Sequence, residues 1–269
     1  MDHSTFSRRD FLKWSGVAAA TLALPGCATS KLLFSGSTNL TVMNSGGFSA
    51  AYKALIPTYE AQTKNHLISV YGPSMGKSPE AIPTRLARGE YADVIIMVGY
   101  ALDKLIAAGL VYADSKTELA DSRIGVVVKK GAPAPKINTP ADLRHALLQA
   151  PSIAYSDSAS GRYIEEQLFK KLGIEDQVKG KAHMVEKTPV AQKVAEGTYA
   201  LGFQQISEIL PIQGVSYLGK IPEELQSITT FSAGIAKRSK HPKQAAELIK
   251  FLTSAQAKEA IIKSGMDLK

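Results

Sequence analysis

The sequence predicts an α/β protein, with strands and helices alternating through two successive parts of the chain. Three observations carry that prediction. Apolar runs of strand length, such as "HLISVY", "DVIIMV" and "RIGVVVKK", recur along the chain. Each ends at a cluster of small residues, and a segment with apolar residues at helical spacing follows. The length of 269 residues, with 45% hydrophobic and 21% charged, suffices for one large domain or two lobes with substantial cores.

The elements follow in order. "NLTVM" reads as a first strand, broken by "SGGF" before a helix over 49–64 with Leu55, Ile56 and Tyr59 on one face. "HLISVY" is a second strand, ending in "GPSMGKS"; a helix over 79–88 and the strand "DVIIMV" come next. "ALDKLIAAG" is a helix closed by Gly109 in the C-terminal capping position. After the strand "RIGVVVKK", Thr139-Pro140-Ala141-Asp142 opens a helix with a hydroxyl cap, a first-turn proline and a first-turn acid. "SIAYS" is a strand and 161–172 a helix; Thr188-Pro189 repeats the cap and proline for a helix ending near Glu196. "YALGFQ", "GVSYLG" and "SITTFSAGIAK" are strands, and helices over 242–253 and 255–263 end the chain. Alternation of this kind implies parallel strands joined by crossover helices.

The first 27 residues read as an address. Ser7-Arg8-Arg9-Asp10-Phe11-Leu12-Lys13 fits the twin-arginine export pattern, and the apolar run 17–24 is too short for a permanent span. The run ends in Leu24-Pro25-Gly26-Cys27, similar to a lipobox, so Cys27 is expected to carry lipid and tether the chain to a membrane. As the sole cysteine it excludes an internal disulfide. The five histidines are scattered with no i, i+4 pair, so neither a metal site nor any cofactor is expected. The net charge of +8 and pI near 9.4 come from dispersed Lys and Arg without a basic block. That argues against nucleic acid and for a field that favours small anions.

The blocks "RGEYADVIIMV", "SRIGVVVKKGAP", "AYSDSASGRY", "LGFQQISE" and "HPKQAAELIKFLTSAQAKEAI" resemble the periplasmic molybdate-binding protein family, the two-lobed solute receptors of ABC importers. The resemblance implies two lobes, each a mostly parallel sheet flanked by helices, with hinge strands near 122–126 and 227–236 and a ligand between them. It places lobe 1 at 38–122 plus 236–269 and lobe 2 at 123–235, in a monomer that docks on an importer permease if it is a receptor. Three blocks, "SMGKSPEAIPTRLARGEYADVIIMV", "AYSDSASGRY" and "GFQQISE", are similar to a branch associated with aconitate isomerase, which interconverts a tricarboxylate without a cofactor.

In an open α/β sheet ligands sit beyond the carboxyl ends of the strands, where loop amides and helix N-termini point outward. The loops expected there supply Ser45, Gly46, Gly47, Ser74, Gly76, Ser158, Ser160 and Gly161 as hydroxyls or close-approach glycines, with Thr188 and the amides Gln204 and Gln205 facing them. Where the molybdate receptors place their first ligand serine this chain has Gly47, and where they place a tyrosine it has Gln205. Lys77, Arg85, Arg123 and Lys187 are cations that a compact oxyanion does not need and a polycarboxylate does. An allylic proton shift also requires a base, for which Glu186, Asp157, Glu208 and Tyr100 are near the expected cleft. Isomerase and anion receptor both remain open at this point. A serine hydrolase is disfavoured, because no G-x-S-x-G elbow occurs.

Overall fold

The computed structural model describes residues 37–269; the export segment and Cys27 lie outside the described residues. The strands are β1 (Asn39–Asn44), β2 (His66–Tyr71), β3 (Val94–Val98), β4 (Thr117–Ser122), β5 (Ile124–Lys129), β6 (Ile153–Ser156), β7 (Ala182–Val185), β8 (Leu201–Gln205), β9 (Val215–Lys220), β10 (Thr229–Ile235) and β11 (Asp267–Leu268). The helices are α1 (Gly46–Thr63), α2 (Ile82–Ala87), α3 (Gly99–Ala107), α4 (Pro140–Gln149), α5 (Ala159–Tyr163), α6 (Phe169–Lys171), α7 (Glu175–Val178), α8 (Val190–Ala195), α9 (Ile206–Ile209), α10 (Pro242–Leu252) and α11 (Ala255–Lys263). A π-helical turn, Ile164–Leu168, joins α5 to α6.

Two sheets result, six strands in the order β11-β4-β10-β3-β1-β2 and five in the order β7-β6-β8-β5-β9. Each has a core of its own. Leu40, Val42 and Ile95 pack with Phe48 and Tyr52 of α1 in the first, and Ile124, Ile153 and Phe203 pack with Leu143 and Ile164 in the second. A smaller cluster around Val127, Val190 and Val194 covers the other face of the second sheet.

The two-sheet α/β architecture agrees with the sequence reading, but the sheets are mixed rather than mostly parallel. β1 runs parallel to β2 and β3, and β6 parallel to β7 and β8, each through a crossover helix. β4, β5, β9, β10 and β11 pair antiparallel, because the chain enters and leaves each lobe along these strands without a crossover. A second correction concerns the lobe boundary. β10, assigned by sequence to lobe 2, pairs with β3 and β4 of the first sheet, so the chain returns to lobe 1 before Thr229 and not after Ile235.

The chain crosses between sheets twice. Arg123 separates β4 in one sheet from β5 in the other, and 221–228 separate β9 from β10. Two glutamines lace the crossings together. Gln226 accepts from the Ile124 amide at 3.0 Å and donates to the Ile124 carbonyl at 2.9 Å, as a neighbouring strand would. Gln205 accepts from the Ser122 hydroxyl at 2.7 Å and donates to Thr229 at 3.2 Å, tying β8 to both hinge strands.

Candidate functional site between the lobes

The loops that leave β1, β3, β6, β7 and β8 at their carboxyl ends converge between the two sheets. Three contacts show that the lobes meet there. Ser207 at the start of α9 donates to the Gly47 carbonyl at 2.6 Å. Ala159, at the head of α5, packs against the core of the first lobe. A side chain on Gly46 would collide with the Glu208 carboxylate, so that carboxylate lies against the first turn of α1.

On the first lobe this region holds polar atoms without partners. Asn44 is 0% exposed and Ser45 2%, and neither the Asn44 amide nor the Ser45 hydroxyl has a hydrogen-bond partner among the described residues. Ser45 is the N-cap of the 18-residue α1 but does not cap it with its side chain. Leaving such groups buried and unpaired costs about 1–3 kcal/mol each, a cost that a polar ligand offsets. The buried Ser74 hydroxyl accepts from the Val98 amide at 3.0 Å, which leaves its own proton to donate.

On the second lobe Ser156, Ser158 and Ser160 form a hydroxyl cluster at the head of α5, with oxygen separations of 2.7, 3.4 and 3.3 Å. Asp157 lies among them. Burial, and then the neighbouring Glu186, push its carboxyl above the usual aspartate range, while Arg162 acts the other way. The Arg162 charge also opposes the rise at Tyr100 of α3, whose phenol is pushed up by burial. Part of Glu208 still meets solvent, yet enough protein surrounds its carboxyl to push it up to about 7; a hydrogen bond with Gln204 opposes this and Asp157 adds to it.

Several predicted residues are placed differently from the sequence reading. Gly161 is needed for packing, since any side chain there would collide with the Ser156 backbone; the close approach is between helix and strand. Gly47 likewise makes room for the Phe231 ring at the hinge. Arg85 bonds the Glu80 carbonyl at 3.0 Å and pairs with Glu90 at 2.8 Å. Arg123 pairs with Glu223 at 2.9 Å and with Asp267, bracing lobe 2 against the C-terminal strand and holding the Glu223 carboxyl down to about 2. Both guanidiniums are thus committed to ion pairs, and the Gln205 amide is committed to the hinge. Gln204 spends its oxygen on the Ala191 amide at 3.0 Å, which leaves its NH2 for Glu208.

Thr188 does not cap a helix: α8 starts at Val190 with Pro189 as N-cap. Instead the Thr188 amide bonds the Glu186 carbonyl at 2.7 Å around Lys187, whose φ of 62° is a strained conformation for a side-chain-bearing residue. Lys187 and Lys77 are exposed and have no ion-pair partner among the described residues; Gly76, with φ 98°, turns the loop beside Lys77. Sequence reasoning missed Asn44, Ser207 and Arg162. Of these only Arg162 left a signal, a cation one helical step beyond the serine cluster. No cluster of metal-ligating side chains occurs among the described residues. A separate concavity of about 550 Å³ is lined by α1, α11 and Leu210-Pro211, and none of the predicted site residues lines it.

A two-sheet frame with donor-rich loops facing across a hinge is the geometry of a solute receptor, and residues 40–267 match the family described as bacterial extracellular solute-binding protein. The chain belongs to this family. Residues 5–25 match the twin-arginine translocation signal sequence, which marks this solute-binding protein for export. It is 43% identical over 229 residues to the aconitate isomerase of a Pseudomonas species, covering 85% of this chain and 87% of that protein. It is 26% identical over 265 residues to YvgL of Bacillus subtilis, named as an ABC transporter substrate-binding lipoprotein, covering 95% and 98%. Its fold matches the periplasmic molybdate-binding protein of Azotobacter vinelandii with a TM-score of 0.69 at 19% identity, over 86% of this chain and 99% of that one.

Proposed function

We propose that this solute-binding protein is an enzyme that interconverts cis- and trans-aconitate by an allylic proton shift. The observation that carries the reading is the pair of carboxyls, Asp157 and Glu208, each partly shielded from solvent in a donor-lined cleft and each raised by burial. Buried carboxyls weaken a receptor for anions. A proton-transfer site requires them, at a pKa near the working pH. The 43% identity to an aconitate isomerase supports the same reading.

In this reading the first turn of α1 with Ser45, Gly46 and Gly47, the hydroxyls of Ser74, Ser158 and Ser160, and the loop at Thr188 surround the three carboxylates of the substrate. Arg162, Lys77 and Lys187 supply positive charge, with Tyr100 across the cleft. An ionised carboxylate, for which Asp157 is the candidate, takes a proton from the substrate methylene. The electron pair spreads over the conjugated alkene and carboxylate as a dienolate, which the helix N-terminus and hydroxyls stabilise. The carboxylic acid returns the proton to the other allylic carbon, and the double bond forms in the alternative geometry. Glu186 sits at the rim and acts through its charge on Asp157. Acyl groups on Cys27 would hold the enzyme at a membrane, which mass spectrometry of the exported protein tests.

The test is to incubate the exported protein with trans-aconitate in D2O and follow the cis isomer and deuterium entry by proton NMR. No isomer and no deuterium, with molybdate raising the melting temperature, would replace the enzyme by a receptor for an ABC importer. The Ser156, Ser158 and Ser160 cluster favours that second reading, since neutral hydroxyls suit a compact oxyanion.

A further inference from the structure

The first turn of α1 has the attributes of a carboxylate site: amides without intrahelical acceptors, a buried Ser45 hydroxyl without a partner, and the buried Asn44 amide beside it with neither polar atom paired. That space is taken by a side chain of the protein. Glu208 reaches across from the second lobe and sets its Oε1 where a side chain on Gly46 would begin. The cross-lobe bond from Ser207 to Gly47 fixes α9 in that position.

A ligand carboxylate and an ionised Glu208 cannot share this end of the helix. Two carboxylates in one buried site repel unless a proton lies between them. Among the described residues no cation is in contact with Glu208. β8 contributes Gln204, a neutral donor, and the loop before α5 contributes Asp157, a like charge. The first turn of α1 carries no acidic side chain and begins Gly46-Gly47-Phe48-Ser49. Arg162 acts on Asp157, and Glu186 opposes it there.

We propose that Glu208 holds the place of a ligand carboxylate at the N-terminus of α1, and that the cleft admits a polycarboxylate only together with a proton, which Glu208 takes up. The protonated carboxyl then donates its hydrogen to the arriving carboxylate, while Ser45 and Asn44 fill the remaining valences. Glu208 thereby sets specificity as well as pH dependence. In its ionised form it turns away fully ionised oxyanions, and in its acid form it matches a carboxylate. This rests on reading the cleft as a carboxylate site, and it does not require turnover.

Calorimetric titration of the exported protein with trans-aconitate and with citrate, in buffers of different ionisation enthalpy from pH 5.5 to 8.5, tests it. The expected result is uptake of about one proton per ligand at pH 8, about none at pH 5.5, and affinity falling about tenfold per pH unit above 7. Glu208→Gln should lose both the uptake and the slope, and Asp157→Asn should keep the uptake; melting of each ligand-free variant verifies that it is folded. The proposal is overturned by proton-free binding of the unaltered protein at pH 8, by an unchanged slope in Glu208→Gln, by loss of uptake in Asp157→Asn, or by failure of both ligands to bind. Uptake without isomerisation leaves it standing and removes the isomerase, and isomerisation without uptake does the reverse.

Discussion

The hydroxyl of Ser207 donates to the main-chain carbonyl of Gly47 across the junction of the two lobes, at 2.6 Å and out of solvent. This single bond joins the start of α9 to the first turn of α1. Ser207→Ala removes the donor while the carbonyl keeps its place in the helix, so the loss is that of one hydrogen bond, about 0.5–1.5 kcal/mol. Chemical denaturation should show that loss, and small-angle scattering should show a larger radius for the ligand-free variant.

A pH dependence of stability follows from Glu208. Its folded pKa, about 7, lies above its ordinary value of 4.5, so the folded state binds more protons than the unfolded one between those values. The resulting stability is fully present below about pH 4.5 and is lost as pH rises through 7. A tenfold difference in proton affinity between the two states is worth about 1.4 kcal/mol, so unfolding free energy should fall by about 2–3 kcal/mol between pH 5 and pH 8. Glu208→Gln should remove most of that slope in urea melts run at each pH.

The hinge offers a contrast between two kinds of polar contact. Gln205 is 3% exposed and serves both Ser122 and Thr229, so Gln205→Ala strands two buried hydroxyls and should cost about 2–3 kcal/mol. Arg123 holds its partners at the surface, and Arg123→Ala should cost less than about 1 kcal/mol. Thermal melts of the two variants should rank them in that order.

Gly161 and Ser160 are neighbours in sequence with opposite tolerance. Gly161→Ala drives a methyl into the Ser156 backbone and should cost about 1–3 kcal/mol or prevent folding. Ser160→Ala removes one hydroxyl from a cluster of three, so it should fold normally and weaken binding of trans-aconitate in a titration.

Asp157→Asn keeps the shape of the side chain and removes its capacity to accept a proton. If it is the base, the rate of isomerisation should fall about 10²–10⁴-fold with KM little changed. Steady-state kinetics on trans-aconitate reads this directly, and a fall confined to KM would move Asp157 from base to binding group.

Much of the frame was legible in the chain. The strand-length runs gave β1, β2, β3, β5, β6, β8, β9 and β10 near their observed bounds, most clearly β3 and β5, because a strand buried on both faces must be continuously apolar. Gly109 ends α3 with φ 71°, and Thr139 accepts from the Asp142 amide at 3.1 Å, as the capping signals indicate. β4 escaped notice because "TELADS" lacks that pattern; it is a strand by pairing with β10. The "RGEYADV" block proved partly structural, since the buried Asp93 accepts from the Thr41 amide, Tyr91 and Ser239.

By itself the sequence determined the alternation of strand and helix, the small-residue loops at strand ends and the export signal. These are local properties, set by side-chain size, polarity and spacing along a few turns of chain. Only the tertiary structure decided which polar groups were free for a ligand. Gln205 and Arg123 found partners distant in sequence, Arg85 paired with Glu90 five residues on, Asn44 and Ser45 found no partner among the described residues, and Glu208 came to rest against a helix from the opposite lobe. Partnership across lobes depends on how two sheets pack about a hinge, and no pattern within either lobe's sequence encodes it.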